Sequence, residues 1–243
     1  MLFCEEEHMK KGKELLNYFT KGELALWMGS VAAILVSFLL FSQDGLLTLL
    51  ASLVGVTSLI FCAKGNPFGQ MLMILFSLLY GIISYTFSYY GEMITYLGMT
   101  MPMAAAALVS WTKNPYEGNR NEVEVNELSG AQWRLMWVLG VPVTIGFYFV
   151  LNYFGTANIG LSTLSVLTSF IAVYLTFCRS AYFALGYAAN DVVLIGLWIM
   201  AAWSEPQYWS VAVCFIAFFV NDIYGFLNWR RMWRRQTLRE AHS

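Results

Sequence analysis

Residues 180–203, SAYFALGYAANDVVLIGLWIMAAW, decide how this chain folds. The stretch carries one charge, Asp191, in twenty-four residues. As a helix rising about 1.5 Å per residue it crosses a hydrocarbon core of about 30 Å. Lipid offers the backbone no hydrogen-bonding partner, so an isolated run of this kind must bond within itself and be helical. Seven more such runs fall at 24–42, 45–62, 68–90, 93–111, 132–154, 158–177 and 207–229. Breaks between them carry loop chemistry, as in Gln43-Asp44-Gly45, Lys64-Gly65-Asn66-Pro67, Gly155-Thr156 and Ser204-Glu205-Pro206. The expected fold is an all-α integral membrane protein of eight transmembrane helices. Composition agrees: of 243 residues 58% are hydrophobic and 12% charged, against about 25% charged in soluble domains. A net charge of −1 gives no reason to expect nucleic acid as a partner.

With the N-terminus in the cytoplasm and the spans alternating, the inner stretches are 1–23, 63–67, 112–134, 178–179 and 230–243. All 14 lysines and arginines fall in them. The outer loops hold acids alone, Asp44, Glu92 and Glu205. That asymmetry is the positive-inside rule, and it places both termini in the cytoplasm. Trp111, Trp133, Trp203, Trp209, Trp229 and Trp233 lie near span ends, where an aromatic belt belongs. Cys4, Cys62, Cys178 and Cys214 form no CxxC pair, so neither a metal nor a disulfide is expected. No secretory cleavage site follows the first apolar run, which is expected to stay as an anchor.

The chain repeats itself. Gly45-Leu-Leu-Thr-Leu-Leu recurs at Gly160, Phe61-Cys62 at Phe177-Cys178, Leu79-Tyr80-Gly81 at Leu194-Ile195-Gly196, and Leu108-Val109-Ser110-Trp111 at Phe226-Leu227-Asn228-Trp229. Residues 45–111 and 158–229 therefore read as two three-helix repeats joined by helix 132–154. Helix 24–42 is added in front, behind a tail at 1–23. A polar cytoplasmic loop occupies 112–131, and a basic tail 230–243. One joining helix between three-helix units leaves both crossing in the same direction, which makes the repeat parallel.

Among 15 acids only Asp191 and Asp222 fall well inside the expected spans, with no lysine or arginine beside them. A charge near the bilayer centre costs at least about 2.5–3.5 kcal/mol, so such a residue faces protein or a water-filled cavity. Asp191 lies twelve residues beyond Arg179 and Asp222 eight before Arg230, or roughly 18 and 12 Å from the same side. The two can meet. Tyr187, Asn190, Asp191, Leu194 and Trp198 share one helical face, and so do Phe218, Asn221, Asp222, Gly225 and Trp229. Ser77, Tyr80, Ser84 and Ser88 mark a milder polar stripe in the first half, with Gln70 nearer the cytoplasm. These side chains are expected to enclose a cavity of carboxylate, amide and aromatic groups. Asparagine and aspartate also serve as bonds between helices, at about 0.6 kcal/mol per contact, and that structural reading stands beside the functional one. His8 and His242 are expected to be inert, Met99, Met101 and Met103 with Pro102 to form a packed kink, and RRMWRR to set topology while touching anionic lipid. Phosphate-loop, HExxH and GxSxG motifs do not occur, so neither an ATP-driven pump nor an enzyme is expected.

Three segments carry a family resemblance: Asn190-Asp191 with Trp198, Asn221-Asp222-Ile223-Tyr224-Gly225 with Trp229 and the basic tail, and Trp111-Thr112-Lys113-Asn114. In that order within a repeated three-helix layout the chain resembles the PnuC family of vitamin transporters, over nearly all residues beyond the first span. The resemblance implies a SWEET-like homotrimer in a bacterial cytoplasmic (inner) membrane. It implies passive uptake of nicotinamide riboside by alternating access, without a cofactor, and trapping by a cytoplasmic nicotinamide riboside kinase. The residues expected at the substrate site are Asn190, Asp191, Trp198, Tyr187, Asn221, Asp222, Tyr224, Gln70 and Tyr80. The ligand's pyridinium cation suits Tyr187 and Trp198, at about 0.5–2 kcal/mol per cation–π contact. A carrier of another cationic vitamin such as thiamine, or a membrane sensor without flux, would use the same groups.

The orientation has a direct check. Single cysteines at Asp44, Glu92 or Glu205 should react with an impermeant thiol reagent on intact cells, and those at Lys64 or Asn119 only after permeabilisation. Labelling of position 119 from outside would reverse the topology.

Overall fold

The computed structural model describes residues 18–41, 46–86, 90–156 and 158–241. Expectations for Cys4, His8, the Gln43-Asp44-Gly45 break, Ser88 and His242 lie outside the described residues. Among the described residues eight helices are long and apolar enough to cross a membrane. They are α1 (Lys21–Phe41), α2 (Leu46–Ala63), α3 (Phe68–Thr86), α4 (Tyr90–Lys113), α5 (Gly130–Tyr153), α6 (Ile159–Phe177), α7 (Phe183–Ser204) and α8 (Trp209–Glu240). Outward residues such as Leu39, Val138 and Phe149 are exposed, an apolar coat suited to lipid rather than water.

Contacts follow the repeat. Helix α2 packs on α3 and α3 on α4; correspondingly α6 packs on α7 and α7 on α8. The halves join crosswise, α2 against α8 and α6 against α4. Helix α5 lies against α6, while α1 packs on both α2 and α8. The chain is thus an all-α membrane protein of two parallel three-helix repeats, with one helix between them and one in front.

The turns that close α2 and α6 are built alike. A helix leaves its last carbonyls without partners, and here a left-handed residue supplies them: Gly65 (φ 68°) after α2 and Arg179 (φ 57°) after α6. Gly65 N–H donates to Cys62 O and Asn66 N–H to Phe61 O; Arg179 N–H donates to Thr176 O and Ser180 N–H to Leu175 O. This is the Schellman arrangement. The residue after each left-handed position accepts from the backbone two residues on, Asn66 from Phe68 and Ser180 from Tyr182.

Side chains of the opposite half complete the caps. Trp229 Nε1–H of α8 donates to Cys62 O at 2.8 Å, and Asn228 donates to Ala63 O at 2.8 Å. Trp111 Nε1–H of α4 donates to Thr176 O at 2.9 Å, and Ser110 donates to Phe177 O at 2.9 Å. Both indoles are fully buried, with ring centroids 5.2 Å apart. These two tryptophans, expected in the aromatic belt, are interior pillars, because their indole N–H groups reach the buried last-turn carbonyls of the opposite half rather than headgroups. Trp203, by contrast, is 81% exposed.

Three local departures matter. First, the loop expected at 112–131 contains an antiparallel hairpin, β1 (Pro115–Tyr116) and β2 (Asn119–Val123), turned at Glu117 and Gly118, both with positive φ. It clamps both caps: Val123 N–H donates to Gly65 O and Asn126 N–H to Arg179 O, each at 2.9 Å. Second, α8 continues through the expected basic tail, because no glycine or proline interrupts Leu227–Glu240 and the hairpin packs on it. Gln236 bonds Glu122, Val123 O and Val125 N–H, Arg239 pairs with Glu117 at 2.9 Å, and Arg235 pairs with Glu122. Third, α4 holds a π-turn at Tyr96–Thr100. Pro102 lacks an N–H for the turn above it, and Thr100 Oγ1 donates to Thr95 O five residues back.

Trp111→Phe and Trp229→Phe each remove a second, buried hydrogen bond from a carbonyl that keeps its backbone donor, at a cost of about 0.5–1.5 kcal/mol. Both should lower the thermal midpoint in detergent by similar amounts. The double variant should depart from additivity because the rings touch. A large loss from one variant and none from the other would show that the pillars are not equivalent.

Candidate functional site

The face of α7 read from its spacing is a wall of the central cavity. Tyr187, Asn190, Asp191, Leu194 and Trp198 all line it, and α8 adds Phe218 and Asp222. The cavity measures about 120 Å³. Asp191 and Asp222 are both 4% exposed and line the same cavity. Asp191 Oδ2 is buried and finds no N–H or O–H donor. Two carboxylates sharing a cavity repel, and the described lining holds no lysine, arginine or histidine to separate them. The pair suits a ligand that brings a positive charge.

Asn190 is fixed from α6. Its side-chain carbonyl accepts from Thr168 Oγ1 at 2.8 Å and Ser169 Oγ at 3.0 Å. What remains for a ligand is its N–H₂. Ser162, Ser165 and Ser169 of α6 add hydroxyls along the same side.

Opposite the acids stands an aromatic wall built largely from the first half. Tyr80 and Tyr96 have ring centroids 4.8 Å apart, Phe76 lies 5.4 Å from Tyr80, and Phe218 lies 5.9 Å from Phe76. Gly55 makes room for it, since a Cβ there would come within 2.6 Å of Phe218. An aromatic face carries negative charge density, so this wall and the carboxylate pair favour the same guest, a flat cation.

Of the residues expected at the site, the structure brings together Tyr80, Tyr187, Asn190, Asp191, Trp198 and Asp222. It sets three apart. Asn221 donates to Ser30 Oγ on α1 and to Ala217 O, both at 2.8 Å. Tyr224 donates to Glu23 Oε1 at 2.8 Å, within a cluster where Lys64 bonds both Glu23 oxygens at 3.2 Å. Gln70 donates to Cys62 Sγ at 3.3 Å in the α2–α3 seam. That seam is tight, since a Cβ on Gly69 would lie 2.7 Å from Cys62 N. Neighbours on a helix point about 100° apart, and here the direction Asn221 takes is filled by α1 while Asp222 faces the cavity. The serine stripe of α3 also turns inward on itself, with Ser77 Oγ donating to Met73 O.

Residues of α4 line the cavity without having been singled out: Glu92, Thr95, Tyr96 and Thr100. Glu92 was read as an outer-loop acid, but α4 begins at Tyr90 and includes it. The signal was present. Positions 92, 95, 96 and 100 repeat at helical spacing and place the polar groups of an apolar run on one face. Glu92, Thr156, Ser162, Leu197 and Trp198 also line a second cavity of about 400 Å³, at the end away from the hairpin.

A family model described as nicotinamide mononucleotide transporter matches residues 45–231. The nicotinamide riboside transporter PnuC of Neisseria mucosa is 27% identical over 231 residues, 93% of this chain and 87% of that protein. Its namesake in Haemophilus influenzae is 22% identical over 195 residues, 80% of this chain and 83% of that protein. Among solved structures, the crystal structure of the vitamin B3 transporter PnuC matches with a TM-score of 0.75 at 23% identity, covering 90% of this chain and 94% of that one. At that identity the likeness concerns the fold.

Proposed function

The chain belongs to the nicotinamide mononucleotide transporter family, and we propose that its cavity carries nicotinamide riboside across a bacterial inner membrane. The observation that carries this reading is the Asp191–Asp222 pair facing the Phe76, Tyr80 and Tyr96 wall, in a described lining without a basic side chain. A pyridinium ring placed between them neutralises the acids and stacks on the wall. The free N–H₂ of Asn190 and the hydroxyls of α6 suit the carboxamide and ribose. The family model's description and the relatives' names differ by one phosphate, and the site chemistry favours the form without it. A phosphate monoester carries about −1.5 to −2 charges near neutrality. In this cavity it would meet Asp191 and Asp222 and, in the described lining, no basic side chain, so the mononucleotide is excluded.

Ligand pockets generally run to about 300–1,000 Å³, and the central cavity is smaller. Admitting a nucleoside requires the halves to part, and α2–α4 and α6–α8 rocking about a midplane site is the motion a repeat of this kind supplies. The reading takes transport as facilitated diffusion, with a cytoplasmic nicotinamide riboside kinase trapping what enters. The basic end bearing the hairpin faces the cytoplasm with both termini, as the positive-inside rule directs. A homotrimer embedded in lipid completes the reading.

Titration calorimetry on purified protein should show binding of nicotinamide riboside and none of the mononucleotide. Asp191→Asn keeps the shape and removes the charge. The lost charged contact is worth about 1.5–3 kcal/mol, or roughly a 10- to 150-fold weaker Kd. Trp198→Ala should cost a comparable factor and Trp198→Phe less. Wild-type affinity in both Asp191→Asn and Trp198→Ala would make α7 scaffold, and preference for the mononucleotide would overturn the charge argument.

Vesicles containing the protein should equilibrate nicotinamide riboside without ATP or an ion gradient. Accumulation that follows an imposed proton gradient would make the acid pair a proton carrier instead.

A further inference from the structure

The second cavity lies at the far end from the hairpin, between the start of α4, the α5–α6 turn and the α7–α8 turn. Trp198, at its neck, is seven residues beyond Asp191, about 10 Å further along α7. Two aromatic pairs flank the space. Tyr90 and Phe154 have centroids 5.6 Å apart, and Trp198 and Tyr208 have centroids 5.4 Å apart. Glu92 lies between this space and the central cavity, lining both. Among the described residues it has neither a hydrogen-bond partner nor a cationic one. A half-buried carboxylate lining a cavity with aromatic walls offers a flat cation both a charge and ring faces.

We infer that this vestibule is a separate capture site for flat aromatic cations, with Glu92 as its charge and the Tyr90–Phe154 and Trp198–Tyr208 pairs as its walls. The inference deepens the reading of the chain as a carrier of a pyridinium nucleoside and rests on it. The ligand first lodges against Glu92, outside the Asp191–Asp222 pair, and passes inward by the Trp198 neck. Because Glu92 acts on the path rather than at its end, its charge governs how fast ligand arrives and leaves. The central acids govern how tightly it stays. A charge that steers a ligand also makes arrival sensitive to salt.

The test is stopped-flow tryptophan fluorescence of the full chain in detergent with nicotinamide riboside, at low and high salt. Glu92→Gln should slow association and dissociation together by about tenfold, with Kd nearly unchanged, and should flatten the salt dependence of association. Glu92→Asp keeps the charge and should stay near the wild-type rates, which separates charge from folding. A Glu92→Gln protein with wild-type rates and salt dependence overturns the inference. So does one that loses affinity with its association rate intact, since Glu92 would then serve the central site. If the wild type binds no nicotinamide riboside, the proposed substrate falls, and a second probe still decides the vestibule. Saturable quenching by 1-methylnicotinamide, absent with neutral nicotinamide and lost in Glu92→Gln, supports the capture site. Equal quenching in wild type and Glu92→Gln overturns it.

Discussion

Everything else in this protein hangs on the buried last-turn carbonyls of α2 and α6. A helix cannot satisfy its own last turn, and at a buried end water cannot do so either. Each half answers for the other: Trp229 and Asn228 of α8 cap α2, while Trp111 and Ser110 of α4 cap α6. The exchange ties the halves at one end with the two indoles in contact, and the hairpin locks the same turns through Gly65 O and Arg179 O. At the other end the described contacts are those of a cavity mouth. Hydrogen bonds thus pin the halves at one end, and a cavity lies at the other.

The scaffold is nearly symmetric, and the site it holds is not. Both acids come from the second half, whereas the facing aromatic wall is mostly from the first, Phe76 and Tyr80 on α3 and Tyr96 on α4. A repeated fold places α3 opposite α7, so substitutions on one helix can specialise it for charge and on the other for ring stacking. The guest that fits such a slot is itself two-sided in chemistry, flat and cationic with a polar appendage. Asn190 shows how rigidly the polar side is held, with its carbonyl already committed to two hydroxyls of α6.

The additional helix α1 does more than anchor. Its Glu23 gathers Lys64 from the α2–α3 turn and Tyr224 from α8, and its Ser30 takes up Asn221. Residues that look like ligand groups on paper are the bonds that attach a helix the repeat does not require. This buried ion pair is well furnished, since Glu23 also accepts from the Thr20 N–H at 2.7 Å, and a lone charge there would be costly.

The sequence by itself determined the number of spans, their helicity, the repeat and the face of α7 that carries Tyr187, Asn190, Asp191 and Trp198. Those follow from rules local to one segment: lipid forbids unpaired backbone, charge avoids the hydrocarbon, and helical spacing selects a face. The tertiary structure alone decided what lies against each face. It sent Asn221 and Tyr224 to α1 and Gln70 to Cys62, turned Trp111 and Trp229 from belt to pillar, and drew Glu92 from an expected loop into the cavity wall. Spacing on a helix fixes which residues share a direction, but direction becomes function only when another helix, a cavity or lipid occupies it. That depends on packing between segments far apart in the chain.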